Sequence, residues 1–78
     1  MFAYFEIDDL SKLEKMLDNW GKNDRVHIGR VDELFDGSRK MAVITGNQIF
    51  IRSANAEQLV KDEAVLRQNL GEGLVKIQ

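Results

Sequence analysis

The amino-acid sequence predicts an α+β domain, in which an antiparallel-dominated sheet carries two helices on one face as a two-layer sandwich. Three features point there. The run "KMAVITGNQIFIR" (40–52) is two short apolar segments joined by Gly46-Asn47, the pattern of a β-hairpin. Two segments, 8–21 and 55–71, place apolar residues at helical spacing and end in glycine. A short alternating segment precedes the first helix and an apolar one, "GLVKIQ", follows the second.

Taken in chain order, "FAYFEI" (2–7) alternates and is rich in aromatics, as a strand should be. Ala3, Phe5 and Ile7 share one face; Phe2, Tyr4 and Glu6 share the other. In "DDLSKLEKMLDNWG", Leu10, Leu13, Leu17 and Trp20 form one stripe, with Met16 beside them. Asp8 or Asp9 caps the first turn, while Ser11 with Glu14 also fits a capping box, so the start is open by a turn. "RVHIGRVDELF" (25–35) reads as one strand. Val26 and Ile28 have even parity and Val31 odd, a conflict that a bulge at Gly29 would resolve. Asp36-Gly37 then supplies a two-residue turn. That turn sets Glu33 opposite Lys40, Asp32 opposite Met41 and Val31 opposite Ala42.

In the 40–52 hairpin, Gly46 followed by Asn47 suits a type II′ turn. The resulting pairs are Thr45–Gln48, Ile44–Ile49, Val43–Phe50, Ala42–Ile51 and Met41–Arg52. Directly opposed residues share a face. One face is Ala42, Ile44, Ile49 and Ile51, wholly apolar, and must be core. The other is Met41, Val43 and Phe50, rimmed by Thr45, Gln48, Arg39 and Arg52.

Asn55 with Gln58 marks the start of a second helix that runs to about Leu70. Leu59, Val60, Leu66 and Leu70 make its apolar stripe, and Val65 projects away. Glu63 and Arg67 fall on the same stripe. Either they pair at i, i+4 along the core edge, the favoured reading, or the helix breaks near Lys61-Asp62. The order is then βαβββαβ. It resembles the ferredoxin-like order with one strand added in the middle, a likeness of topology that covers the whole chain and identifies no family.

Seventy-eight residues make one domain, 1–78, with a small core. A chain of this length buries only about 60% of its unfolded surface. With 31% charged and 44% hydrophobic residues, the chain is too apolar for disorder. The absence of cysteine excludes disulfides, thiolate metal sites and a cysteine nucleophile. "MFAYFEIDD" lacks the pattern of a signal peptide, and no apolar run approaches the length of a membrane span, so a cytoplasmic protein is expected. The formal net charge of −2 disfavours a dedicated nucleic-acid binder. The charge is uneven: five acids and two bases in 1–21, six bases and four acids in 22–52, four acids and three bases in 53–78. A mildly basic middle thus lies between more acidic ends, which an ordinary mixed surface explains.

No constellation for catalysis stands out. His27 is the one histidine and has no second histidine or cysteine with which to hold a metal. As a general base it would need an orienting carboxylate, for which Asp24 and Asp32 are candidates by proximity. Asp8-Asp9 is explained by capping and the helix dipole better than by a divalent ion. "GEG" (71–73) follows a helix rather than a strand, unlike a dinucleotide-binding loop. Ser11, Ser38 and Ser53 lie in no nucleophile elbow. We therefore expect no enzyme, no metal, no cofactor and no small-molecule substrate.

What remains is the second face of the hairpin. If both helices cover the isoleucine face, Met41, Val43 and Phe50 stand on the open side, with Phe2 and Tyr4 beside them. An apolar centre with an arginine-bearing rim suits protein–protein contact, with another protein or with a second copy as a homodimer. The expected contact residues are Met41, Val43, Phe50, Arg52, Arg39 and Tyr4, and the expected function is that of a regulator or inhibitor. The alternative is a single-stranded nucleic-acid platform built from Tyr4 and Phe50 with Arg25, Arg30, Arg39 and Arg52. "SRKMAVITGNQ" does not carry the motif of RNA-recognition sheets.

Overall fold

The computed structural model describes all 78 residues. Its elements are β1 (Phe2–Ile7), α1 (Leu10–Asn19), β2 (Arg25–Ile28), β3 (Val31–Asp36), β4 (Arg39–Thr45), β5 (Gln48–Arg52), α2 (Ala56–Leu70) and β6 (Leu74–Lys76), with a 3-10 turn at Gly71–Gly73. They form one sheet in the order β2-β3-β4-β5-β1-β6, every neighbouring pair antiparallel. β2 to β5 form a meander. β1 inserts between β5 and β6, and the two helices make the long connections. The architecture is the expected α+β class.

The chain has one strand more than the order read from sequence. Residues 25–35 are a hairpin, not a single strand: Ile28 opposes Val31 across a turn at Gly29-Arg30. Gly29 has φ 62°, which a two-residue hairpin turn requires and L side chains resist. The parity conflict disappears without a bulge, because a hairpin places Ile28 and Val31 on the same face.

The sheet's bulge lies elsewhere. Leu34 opposes Ala42 but Phe35 opposes Lys40, so Met41 is the extra residue in β4. The β3–β4 turn is Gly37-Ser38, closed by Asp36 opposite Arg39, rather than Asp36-Gly37. Glu33 consequently faces Val43, Asp32 faces Ile44 and Val31 faces Thr45. The bulge reverses the phase of residues 39–41 relative to the rest of β4. The β4–β5 hairpin keeps the expected register from Ala42–Ile51 to Thr45–Gln48. Gly46 has φ 61° and no non-glycine residue has positive φ, in keeping with a type II′ turn. The expected Met41–Arg52 pair is not formed, because Met41 is bulged.

The core lies between the helices and one sheet face. Ala3, Phe5 and Ile7 of β1, Leu34 of β3, Ala42 and Ile44 of β4, Ile49 and Ile51 of β5 and Leu74 of β6 form a single cluster with Leu13, Met16 and Leu17 of α1 and Leu66 and Leu70 of α2. Both helices therefore cover the isoleucine face. Asp9, not Asp8, caps α1, accepting a hydrogen bond from the Ser11 backbone N–H at 3.0 Å. The Ser11 hydroxyl also donates to Asp9 and holds its carboxyl below the usual range. Asn55 caps α2 by accepting from Gln58 N–H at 2.9 Å.

α2 is continuous through Lys61-Asp62, and Glu63 pairs with Arg67 at 3.0 Å as the i, i+4 reading expected. Lys76 also reaches Glu63, at 3.3 Å. The apolar stripe differs from the sequence expectation. Val60 is 69% exposed, whereas Val65 packs against the core. The inward position between Leu59 and Leu66 is taken by Asp62, only 2% exposed. Both its oxygens are satisfied: Arg39 donates to each at 2.9 Å, Ser53 Oγ to one at 2.6 Å and Gln58 Nε2 to the other at 3.0 Å. This network fastens α2 to β4. No buried side-chain nitrogen or oxygen in the chain lacks a hydrogen-bond partner.

Candidate functional site

The registers assemble the open face row by row. The middle row runs Val26–Glu33–Val43–Phe50–Tyr4 across five strands. The next row runs Ile28–Val31–Thr45–Gln48–Glu6–Val75 across all six. On the other side of the middle row, Phe2 opposes Arg52. The chain end extends the face: Ile77 N–H donates to the Tyr4 carbonyl and Gln78 accepts from Tyr4 N–H, both at 2.7 Å.

An aromatic cluster occupies the β5–β1 part of this face. Tyr4 and Phe50 have ring centroids 4.8 Å apart, Phe2 and Phe50 5.8 Å, and Phe2 and Tyr4 6.0 Å in an edge-to-face arrangement. These separations and tilts are those at which aromatic rings attract. The rings remain in contact with water: Phe2 is 53% and Tyr4 40% exposed, and Phe50 and Val43 are half-buried. Val75, Ile77, Val26 and Ile28 are exposed as well, Ile28 at 70%.

Four of the six expected contact residues, Val43, Phe50, Arg52 and Tyr4, lie together here. Met41 and Arg39 do not. Met41 is 3% exposed and belongs to the core cluster, and Arg39 turns to the helix side to bind Asp62. Both displacements follow from the bulge. Sequence reasoning missed Val26, Ile28, Val75 and Ile77 as members of the face. The signal for the last two was present in the alternation of "LVKI", whose odd positions share a side.

The face is close to electrically neutral. Lys40 and Glu33 form an ion pair. Arg52 and Glu6, at opposite ends of adjacent strands, take part in none of the chain's ion pairs.

The remaining polar groups cluster on the helix side. Asp32, 8% exposed, accepts from Arg25 Nε at 2.9 Å, and its same Oδ1 lies 2.9 Å from His27 Nδ1. Arg25 also lies 3.8 Å from Asp18. Of the two carboxylates proposed to orient His27, the structure selects Asp32. The shallow cleft beside the imidazole is lined by Leu17, Asp18, Gly21, Lys22 and Arg25, none with a hydroxyl or thiol. A second cleft, of about 600 Å³, runs beside α1 over Ile7, Leu10, Leu13 and Leu17 and is bordered by Arg25 and Arg30. No three carboxylate or imidazole groups come together as a metal site, and no helix is long and apolar enough to cross a membrane.

No protein-family model matches the chain, and neither a curated protein nor a solved structure matches it at a significant level.

Proposed function

We propose that this chain is a small non-catalytic, cytoplasmic binding protein that regulates or inhibits another protein by docking the open sheet face on it. The observation that carries the reading is the Phe2–Tyr4–Phe50 cluster, three rings packed on one another yet left open to water. A sheet with helices on one side needs only one apolar face to fold, and large exposed apolar patches mark contact sites. Buried aromatics carry much of the energy in such contacts. The rim residues Arg52, Glu6, Thr45 and Gln48 supply polar edges.

The nucleic-acid alternative has less support. It calls on four arginines to follow a phosphate backbone. Arg25 is engaged by Asp32 and Asp18, Arg39 by Asp62 and Asp36, and Arg30 borders the cleft beside α1. Only Arg52 shares a face with the rings.

The test is affinity capture from the native host with wild type and Tyr4→Ala in parallel, each with and without nuclease. The reading expects a protein captured by wild type, lost with Tyr4→Ala at unchanged circular dichroism, and insensitive to nuclease. Capture that nuclease abolishes supports the alternative. Capture unaffected by Tyr4→Ala removes the open face from consideration.

The non-catalytic part of the proposal has its own check. His27→Ala is expected to lower stability by about 1 kcal/mol or less, because the ring is largely exposed and Arg25 keeps Asp32 hydrogen-bonded. Chemical denaturation measures this, and partner binding should persist. Loss of biological activity in a folded, partner-binding His27→Ala protein would reopen catalysis.

A further inference from the structure

We propose that the open sheet face docks on a second copy of itself, as a two-fold homodimer whose axis lies in the interface and runs across the strands. The inference rests on the open face being a contact surface and adds the identity of its occupant. Three observations carry it.

The first is charge. Along the β5–β1 pair, Arg52 lies at one end of the face beside Phe2, and Glu6 lies at the other end beside Gln48. Neither has an ionic partner within the chain. A face carrying one unpaired charge of each sign, at opposite ends, is complementary to itself. Rotation about an axis across the strands brings the Arg52 end of each copy over the Gln48–Glu6 end of the other. Rotation about an axis along the strands would instead place the two Arg52 ends on each other, where like charges repel. The charges therefore select one axis.

The second is the apolar pattern. The selected rotation lays the middle row on itself, so that Val43, Phe50 and Tyr4 of one copy meet the same residues of the other. Facing sheets pack about 10 Å apart with strands crossing at roughly 30°, which lets the rings interdigitate. Glu33, in the same row beside Val43, meets its own copy with its charge offset by Lys40.

The third is area. The molecule measures 28 × 28 × 20 Å. Any side of a body of that size is of the order of the roughly 800 Å² that each partner contributes to a standard interface, so one sheet face suffices for a dimer. A heterologous partner must then compete with the second copy, so protein concentration governs how much open face is available.

Sedimentation equilibrium of the full chain tests the proposal. Wild type is expected to dimerise, with a dissociation constant of order 1–100 μM, within the range open to a contact whose area alone does not fix its affinity. Arg52→Glu and Glu6→Arg alone should each raise that constant about tenfold or more, and the double variant Glu6→Arg/Arg52→Glu should recover most of the loss, because opposite charges again face each other. Both positions are exposed strand ends, and circular dichroism checks that each variant is folded. A wild type monomeric up to about 1 mM, roughly tenfold above the weakest constant expected, overturns the inference. So does a double variant that dissociates as readily as the singles. If the monomer still captures a protein that Tyr4→Ala loses, the second copy is rejected and the open face stands. If neither association depends on Tyr4, both fail.

Discussion

Ile49→Ala is expected to lower the free energy of unfolding by about 2–5 kcal/mol, the range for truncating a fully buried aliphatic side chain. Ile49 has no exposed surface and lies in register between Phe5 of β1 and Ile44 of β4, beneath the helices. The β-sheet backbone on both sides is fixed by hydrogen bonds, so the cavity cannot collapse easily. For a domain of this size the loss approaches the whole stability. Urea denaturation measures it, with an unchanged m-value showing that the unfolded state is not altered. A loss below about 0.5 kcal/mol would show that the isoleucine face is not the core.

Arg39→Ala is expected to have the next largest effect, about 3 kcal/mol, by leaving the Asp62 carboxylate buried with only Ser53 and Gln58 for company. Much of that loss is the penalty of an orphaned charge, not the net worth of the pair. Arg39→Met/Asp62→Leu should therefore recover most of it, since an apolar pair of similar volume often replaces a buried ion pair without loss.

The pH dependence has a definite sign. Burial pushes the Asp62 carboxyl up, but hydrogen bonds from Arg39, Ser53 and Gln58 outweigh burial and hold it below its ordinary value of 3.8. Glu63 is likewise raised by burial and lowered further by Arg67 and Lys76, ending below its ordinary 4.5. A depressed folded-state carboxyl contributes stability that is fully present above its unfolded value and is lost as pH falls through the folded value. The wild type should thus lose stability below about pH 4. Without Arg39, the strongest of those hydrogen bonds and its positive charge are lost while burial remains, so protonation of Asp62 becomes easier than in the wild type. The gap between wild type and Arg39→Ala should therefore narrow as pH falls from 7 toward 3 in urea titrations. A gap that stays constant would contradict this account of the network.

Much of the fold is legible where local chemistry decides it. The Asn55 cap with Gln58, the Gly46-Asn47 turn and the register it imposes from Thr45–Gln48 to Ala42–Ile51 all follow from rules that operate within a few residues. The β3–β4 register does not. Its outcome depends on Met41 joining the core and Arg39 reaching Asp62, a residue 23 positions away. Such a contact leaves no mark in a pattern of parity. Asp62 itself occupies the apolar stripe between Leu59 and Leu66, and hydrophobicity alone selects Val60 in its place. Glycine at 29 signals a break in the strand but does not distinguish a bulge from a hairpin. The open face is partly legible for the same reasons: Val43 and Phe50 follow from the local hairpin, whereas its extension to Val26 and Ile28 depends on the turn at Gly29-Arg30.

Association is expected to run through the aromatic cluster on the open sheet face. Its most direct test compares Phe50→Ala with Val60→Ala by titration calorimetry against the captured partner and by sedimentation for self-association. Phe50 touches both other rings of the cluster, whereas Val60 is 69% exposed on the outer side of α2. Phe50→Ala is expected to weaken association by about 2 kcal/mol or more, with a smaller loss of domain stability, and Val60→Ala to leave association unchanged. If Phe50→Ala unfolds the domain while its folded fraction associates normally, or if Val60→Ala is the variant that loses association, Phe50 serves the fold and the contact surface lies on the helices.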